Sequence, residues 1–189
     1  SSIVIQGAGT PMIYRGNKYP RELYGNAFIT DSPTNLVHRM IVEDDGQGRL
    51  TGKNGYDRGE FLASSDERFR PVSLFDGPDG NLYVVDMYRG VVQAEGIWSE
   101  YLTGYIKQNN LQLPVARGRI WRVVYGTGNT RGPKPSLSSA TPAALVQTLS
   151  HTNGWWRDTA QRLLVLRQDK SVVPALQQMA RLSTSLVGR

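Results

Sequence analysis

The triplet Arg68-Phe69-Arg70 is where residue type and spacing point most directly to chemistry. On an extended segment, alternation puts both guanidinium groups on one face and Phe69 on the other. Each guanidinium can grip a carboxylate through two parallel N–H donors, so a side-by-side pair suits a planar ligand carrying several carboxylates. The same arginines can instead pair on the surface with Glu60, Asp66 or Glu67, and spacing alone leaves both readings open. Asp86-Met87-Tyr88-Arg89 adds a carboxylate and another guanidinium that either line the same cavity or pair across neighbouring strands. His38, followed by Arg39, ends the run Asn35-Leu36-Val37. A histidine there has the near-neutral pKa of a general base. No Asp or Ser partner is fixed by spacing, so a half-buried strand histidine is the stronger reading. His38, Arg39, Asp86 and Arg89 are therefore the candidate cavity-lining residues.

Other chemistries are excluded or left without support. The chain has no cysteine, which removes disulfides, thiolate metal sites, a cysteine nucleophile and a c-type haem attachment from these 189 residues. Glu43-Asp44-Asp45-Gly46 and Asp76-Gly77-Pro78-Asp79 lack the alternating ligand spacing of a calcium loop and read as turns, so no metal site is expected. No Ser-His-Asp arrangement, phosphate-cradling glycine loop or paired-carboxylate signature is present. The net charge is +6, but Lys and Arg are scattered without a dense basic run, which argues against nucleic acid. An acidic protein partner, anionic lipid headgroups or a membrane-complex partner fits that charge better. No apolar run reaches the roughly 20 residues needed to span a bilayer. Ser1-Ser2-Ile3 carries no basic leader and no Met, so an export signal is expected to have been removed or to lie outside the chain.

Three segments must position these side chains. Residues 1–125 are strand-like: short runs rich in β-branched and aromatic residues, bounded by Gly, Asn, Asp or Pro. A helix interrupts them over about 95–110, where Ile97, Trp98, Tyr101, Leu102, Tyr105 and Ile106 recur at three- and four-residue spacing. Residues 126–142 are dense in Gly, Pro, Ser and Thr and read as an extended linker. From there the period turns helical over 143–189. Thr141 can cap a helix that starts at Pro142, Asn153-Gly154 breaks the chain, and Trp156, Ala160, Leu163 and Leu164 share one face. His151, in the segment connecting the helices, reads as structural. Val172, Val173, Leu176, Met179, Ala180 and Leu182 form a third amphipathic stretch. The expected fold class is mainly β with an α-helical C-terminus: a partial β-propeller of about two blades followed by HEAT-like helices. A lone helical hairpin is the alternative for the last segment.

The phrases carry a resemblance. Tyr14-Arg15-Gly16-Asn17-Lys18-Tyr19-Pro20, Tyr24-Gly25-Asn26-Ala27-Phe28-Ile29, Gly77-Pro78-Asp79-Gly80-Asn81-Leu82-Tyr83 and Gly118-Arg119-Ile120-Trp121-Arg122 occur in an order resembling the C-terminal blades of soluble dehydrogenases. These are the pyrroloquinoline quinone (PQQ)-dependent glucose, sorbosone and aldose sugar dehydrogenases. With Trp155-Trp156-Arg157-Asp158, the chain looks closer to bacterial proteins that join such a propeller to HEAT repeats and often to a cytochrome c domain. The resemblance implies an extracytoplasmic, periplasmic setting. It also implies that Arg68 and Arg70 contact the PQQ carboxylates. The lysine that the family places after its Gly-Asn-x-Phe strand is replaced here within Thr30-Asp31-Ser32-Pro33-Thr34. The general base and the calcium ligands belong to earlier blades, outside this chain.

Two functional expectations follow. One is a piece of a PQQ-type sugar or alcohol oxidoreductase acting on CH–OH groups and passing electrons to a cytochrome. The other is a non-catalytic scaffold that binds a protein partner or docks on a membrane-associated electron-transfer complex. Two blades would leave unpaired strand edges, so the rest of a longer polypeptide or another chain is expected to brace them.

Overall fold

The computed structural model describes residues 5–92, 95–127, 132 and 134–184. They form two compact units whose make-up does not follow the linear order of the chain. One comprises Ser1–Tyr14, Arg21–Phe75 and Leu82–Val123; the other gathers Arg15–Pro20, Asp76–Asn81 and Val124–Arg189.

The first unit holds two antiparallel sheets. Strands β1 (Met12–Ile13), β2 (Ala27–Asp31), β3 (Leu36–Asp44) and β4 (Leu50–Asn54) lie in that order, and β5 (Leu62–Ala63) pairs with the start of β3. The long β3 is the spine: Val37 pairs with Thr30 and Leu62, and Met40 with Ala27 and Asn54. Alternation sends Phe28 and Val37 to full burial. Phe28 meets Tyr14 and Phe61 edge-to-face at centroid distances of 6.3 and 4.7 Å, a geometry that suits the ring quadrupoles. The second sheet runs β6 (Pro71–Asp76), β7 (Leu82–Asp86), β8 (Arg119–Val123), with Leu74, Leu82 and Val84 buried. Between β7 and β8 the chain makes a short helix, α1 (Glu100–Gln108), whose first turn is capped by Ser99 accepting from the Leu102 N–H at 3.1 Å.

The second unit is built on α2 (Pro142–Thr148), α3 (Gly154–Arg167) and α4 (Val173–Leu182). Thr141 caps α2 ahead of Pro142, as the punctuation predicts, and Asn153, read only as a chain break, caps α3. Leu137, Leu145 and Ala160 form the core, flanked by Trp155, Trp156 and Leu163. Leu137 lies inside the stretch that reads as a linker. Of that stretch, residues 128–131 and 133 fall outside the described residues.

The buried Asn153 is the junction of this unit. Its amide donates to Gly77 O at 2.9 Å and Pro78 O at 3.2 Å, while its side-chain oxygen accepts from the Trp155 N–H. The Trp156 indole adds a bond to Pro78 O at 2.7 Å. His151 has a structural role, its Nδ1 accepting from the Asn153 N–H at 3.0 Å. Two glycines are required by this packing. Gly80 has φ of +80° and a Cβ there would stand 2.2 Å from Asn17 Oδ1; a Cβ on Gly154 would stand 2.8 Å from Arg15 Cβ.

The expected partial propeller followed by HEAT-like helices is therefore corrected. About 30% of the described residues are helical and 23% strand, so they form a mixed rather than a mainly β structure. The first sheet forks at β3 into five strands and the second has three, rather than repeating a four-stranded blade, and neither closes a ring. No HEAT-like repeat is evident among the described residues. Helix α2 spans 7 residues against 14 in α3 and 10 in α4, and α4 buries no side chain. Turn and cap residues specify where a strand or helix ends; they do not specify how hairpins associate, and the resemblance supplied that step.

Asp76 carries a pH dependence in the second unit. One carboxylate oxygen accepts from the Arg15 N–H at 3.0 Å, and the other is buried without a partner among the described residues. Burial pushes its pKa up to about 6 against the opposing pull of Arg15. Because the folded value lies above the unfolded one, stability is full below about pH 4 and declines as pH rises to about 6, by roughly 3 kcal/mol. Asp76→Asn removes that penalty. Urea unfolding should show a gain of up to about 3 kcal/mol at pH 8 and none at pH 4; an equal effect at both pH values would show that Asp76 is not the titrating group.

Candidate functional site

Asp86, at the end of β7, is 1% exposed. Its register partner across the ladder is Arg119 of β8. One oxygen accepts the backbone N–H groups of Arg70 at 2.9 Å and Tyr88 at 2.8 Å. The other accepts Arg119 Nε and Nη2 at 3.3 and 3.1 Å and the Trp121 indole at 3.0 Å. A carboxylate offers about four lone-pair positions, so this one is saturated. The Arg119 guanidinium lies 3.7 Å from the Tyr88 ring centroid and 4.7 Å from that of Trp121, both cation–π contacts. Tyr88 holds φ of +50° to make its part of this cluster. That left-handed conformation costs a non-glycine residue about 1–2 kcal/mol.

The two candidate arginines flank Phe69, which is buried as alternation predicts. Their forks diverge. Arg68 donates Nε to Leu113 O at 3.0 Å, and Nη2 to Asn109 O and Asn110 O at 3.3 and 3.2 Å. It thus closes the C-terminal end of α1, where carbonyls lack helical partners and favour a cation. Arg70 donates to Ser32 O, Pro33 O, Arg89 O and Gly90 O at 2.8–3.0 Å. Burial lowers the pKa of its guanidinium, with the Glu67 charge opposing.

Arg70, without Arg68, lines a cleft of about 260 Å³ with Glu67, Asn35, Tyr105 and an apolar wall that includes Val91 and Ile106. The Tyr105 hydroxyl donates to Glu67, and that bond together with the Glu67 charge raises the phenol's pKa. The anionic group in this cleft is therefore the protein's own.

The remaining candidates lie elsewhere. His38 is 1% exposed, with Nδ1 2.8 Å from Glu60 Oε2 and Nε2 facing Asp31 Oδ2 at 3.5 Å without a hydrogen bond. Sequence spacing did not reveal these two carboxylates, because strand pairing and a long loop bring them together. Asp31 is fully buried and accepts the Gln6 and Gly7 N–H groups, both at 3.0 Å. Burial raises its pKa, but those backbone donors and the Thr34 hydroxyl outweigh it, and the net shift is downward. Arg39 is buried, bonded to Asn26 Oδ1 at 2.6 Å and Glu22 O at 3.1 Å, with Tyr56 beneath it. Arg89 is exposed and contributes its carbonyl to Arg70. The structure thus joins Asp86 to Arg70 through the backbone, while His38 and Arg39 are held in separate clusters.

Residues 4–127 match the family described as a domain of unknown function, DUF7133. The chain belongs to that family. No curated protein and no solved structure matches it.

In this DUF7133 chain the site-like residues form a structural junction whose cost of removal is measurable. Asp86→Ala leaves a partly buried guanidinium, an indole and two backbone amides without their acceptor, and it should destabilise by about 3–5 kcal/mol. Asp86→Asn keeps one acceptor and should cost less than Asp86→Ala. Urea unfolding at pH 7 checks both; a loss under about 1 kcal/mol for Asp86→Ala would show that the junction contributes little.

Proposed function

We propose that this DUF7133 chain works as a non-catalytic, protein-binding scaffold rather than as the cofactor-binding part of a quinone-dependent oxidoreductase. A single observation carries the reading: the guanidinium donors that would hold PQQ are committed to backbone carbonyls. Arg70 spends four N–H···O bonds on two loops, and Arg68 spends three on the end of α1. A tricarboxylate would have to break these bonds and would meet the Glu67 carboxylate in the cleft. The residues present do not fit that cofactor. The stretch 30–34, where the resemblance implies a lysine, has none and carries Asp31, sealed by the chain's own amides, which supports the same view. The phrase-level resemblance to PQQ-linked proteins supports an extracytoplasmic setting beside an electron-transfer complex.

The test is a calorimetric titration of the chain with PQQ and calcium, alongside Arg70→Ala. The scaffold reading expects no saturable binding to the wild type and a loss of about 2–4 kcal/mol of stability in Arg70→Ala, from carbonyls left unsatisfied. Saturable PQQ binding that disappears in Arg70→Lys, with stability kept, would overturn it.

A further inference from the structure

The cleft beside Arg70 lies wholly within the strand-rich unit and is bordered by two opposite charges that do not meet. The Glu67 charge acts on the Arg70 guanidinium, yet no ion pair joins the two. A guanidinium offers five N–H donors. Those of Arg70 go to the carbonyls of Ser32, Pro33, Arg89 and Gly90, which leaves one N–H on Nη2. Glu67 accepts from the Tyr105 hydroxyl and keeps its other oxygen open among the described residues. The Tyr105 oxygen, a donor in that bond, retains its lone pairs. Asn35 turns its Nδ2 toward Phe69 O and Asp66 O, so its Oδ1 is a further acceptor. The opposite wall is apolar, and Ile106 and Leu111 within it are buried.

The acceptors left open by Glu67, Asn35 and Tyr105 match the three N–H donors of a primary ammonium. A cation alone would face the Arg70 charge across the cleft, and an anion alone would face Glu67. A zwitterion meets both charges and leaves the cleft neutral. At about 260 Å³ the cleft is smaller than the roughly 300–1,000 Å³ that holds a drug-sized ligand, which suits a small molecule. We infer that this cleft binds a free α-amino acid with an apolar side chain. The ammonium donates to Glu67, Asn35 Oδ1 and the Tyr105 oxygen, and the carboxylate accepts the remaining Arg70 N–H. The side chain lies against Val91, Ile106 and Leu111. A single carboxylate needs only that one N–H and breaks no bond to the loops, unlike a tricarboxylate. Binding of a small zwitterion goes beyond the scaffold reading and does not depend on it.

The probe is L-leucine, titrated into the full chain by isothermal calorimetry, with NMR of the backbone amides giving location. Three relatives each lack one feature: isoamylamine has no carboxylate, isocaproate no ammonium, and glycine no apolar side chain. Leucine should bind saturably and shift the amides of Asn35, Glu67, Val91 and Tyr105. Each relative should bind at least about tenfold more weakly, because a charged hydrogen bond or a buried leucyl side chain carries at least that factor. Glu67→Gln keeps the shape and removes the charge, and Tyr105→Phe removes the hydroxyl. Each should lower leucine affinity by about tenfold or more with the rest of the amide spectrum preserved. Lys107→Ala, on the same helix but outside the cleft, should leave it unchanged. Equal affinity for isoamylamine or for isocaproate overturns the amino-acid assignment. So does an absence of saturation up to about 10 mM leucine, or leucine binding that Glu67→Gln leaves intact. A chain that takes up neither leucine nor PQQ keeps the scaffold reading and loses only the cleft assignment.

Discussion

A single buried carboxylate organises the second sheet. Desolvating Asp86 costs several kcal/mol, and only a full set of donors offsets that. The five donors come from the approach to β6, the exit of β7 and two alternate residues of β8. Each donor fixes something beyond itself. The Arg70 N–H sets where that residue leaves its loop, so its guanidinium reaches the carbonyls of Ser32, Pro33, Arg89 and Gly90. The Tyr88 N–H holds a left-handed residue whose ring then lies under Arg119. Remove the carboxylate and the loops that Arg70 ties lose their reference point.

The same device recurs with different residues. Irregular backbone leaves carbonyls that no ladder satisfies, and a fork-shaped cation or an amide satisfies several at once. Arg68 does this at the end of α1, Arg39 takes Glu22 O, and Arg167 takes the carbonyls of Leu137, Ser138 and Ala140. Asn153 does so for Gly77 and Pro78 in the helical unit. With long loops between short strands, these arginines are spent on the chain's own main chain, the candidate pair Arg68 and Arg70 among them.

This use of arginine explains what was legible in the residues and what was not. Local punctuation read well in part: Thr141-Pro142 caps α2, and Phe69, on the face opposite the two arginines, is buried, while the caps Ser99 and Asn153 went unread. Those features depend on neighbours within a few positions. Whether a guanidinium meets a ligand or a carbonyl depends on where a loop some 20 to 45 residues away passes, and a backbone carbonyl has no side-chain signature to search for. The His38 clamp was hidden for the same reason, since Glu60 reaches it across a loop. The architecture failed at the same scale, because pairing β5 back onto β3 is a long-range choice that turn residues do not encode.

The junction also holds β8 in its sheet. Arg119 and Trp121 are tied to Asp86 from the sheet's own side, and the ladder to β7 runs the whole length of the strand. The strand is therefore held extended by its own sheet. Because Trp121 Nε1 is engaged by Asp86, the indole presents its ring while its polar atom is satisfied within the fold. A carboxylate that reads as site chemistry thus acts structurally, by fixing where Arg119 and Trp121 of β8 lie.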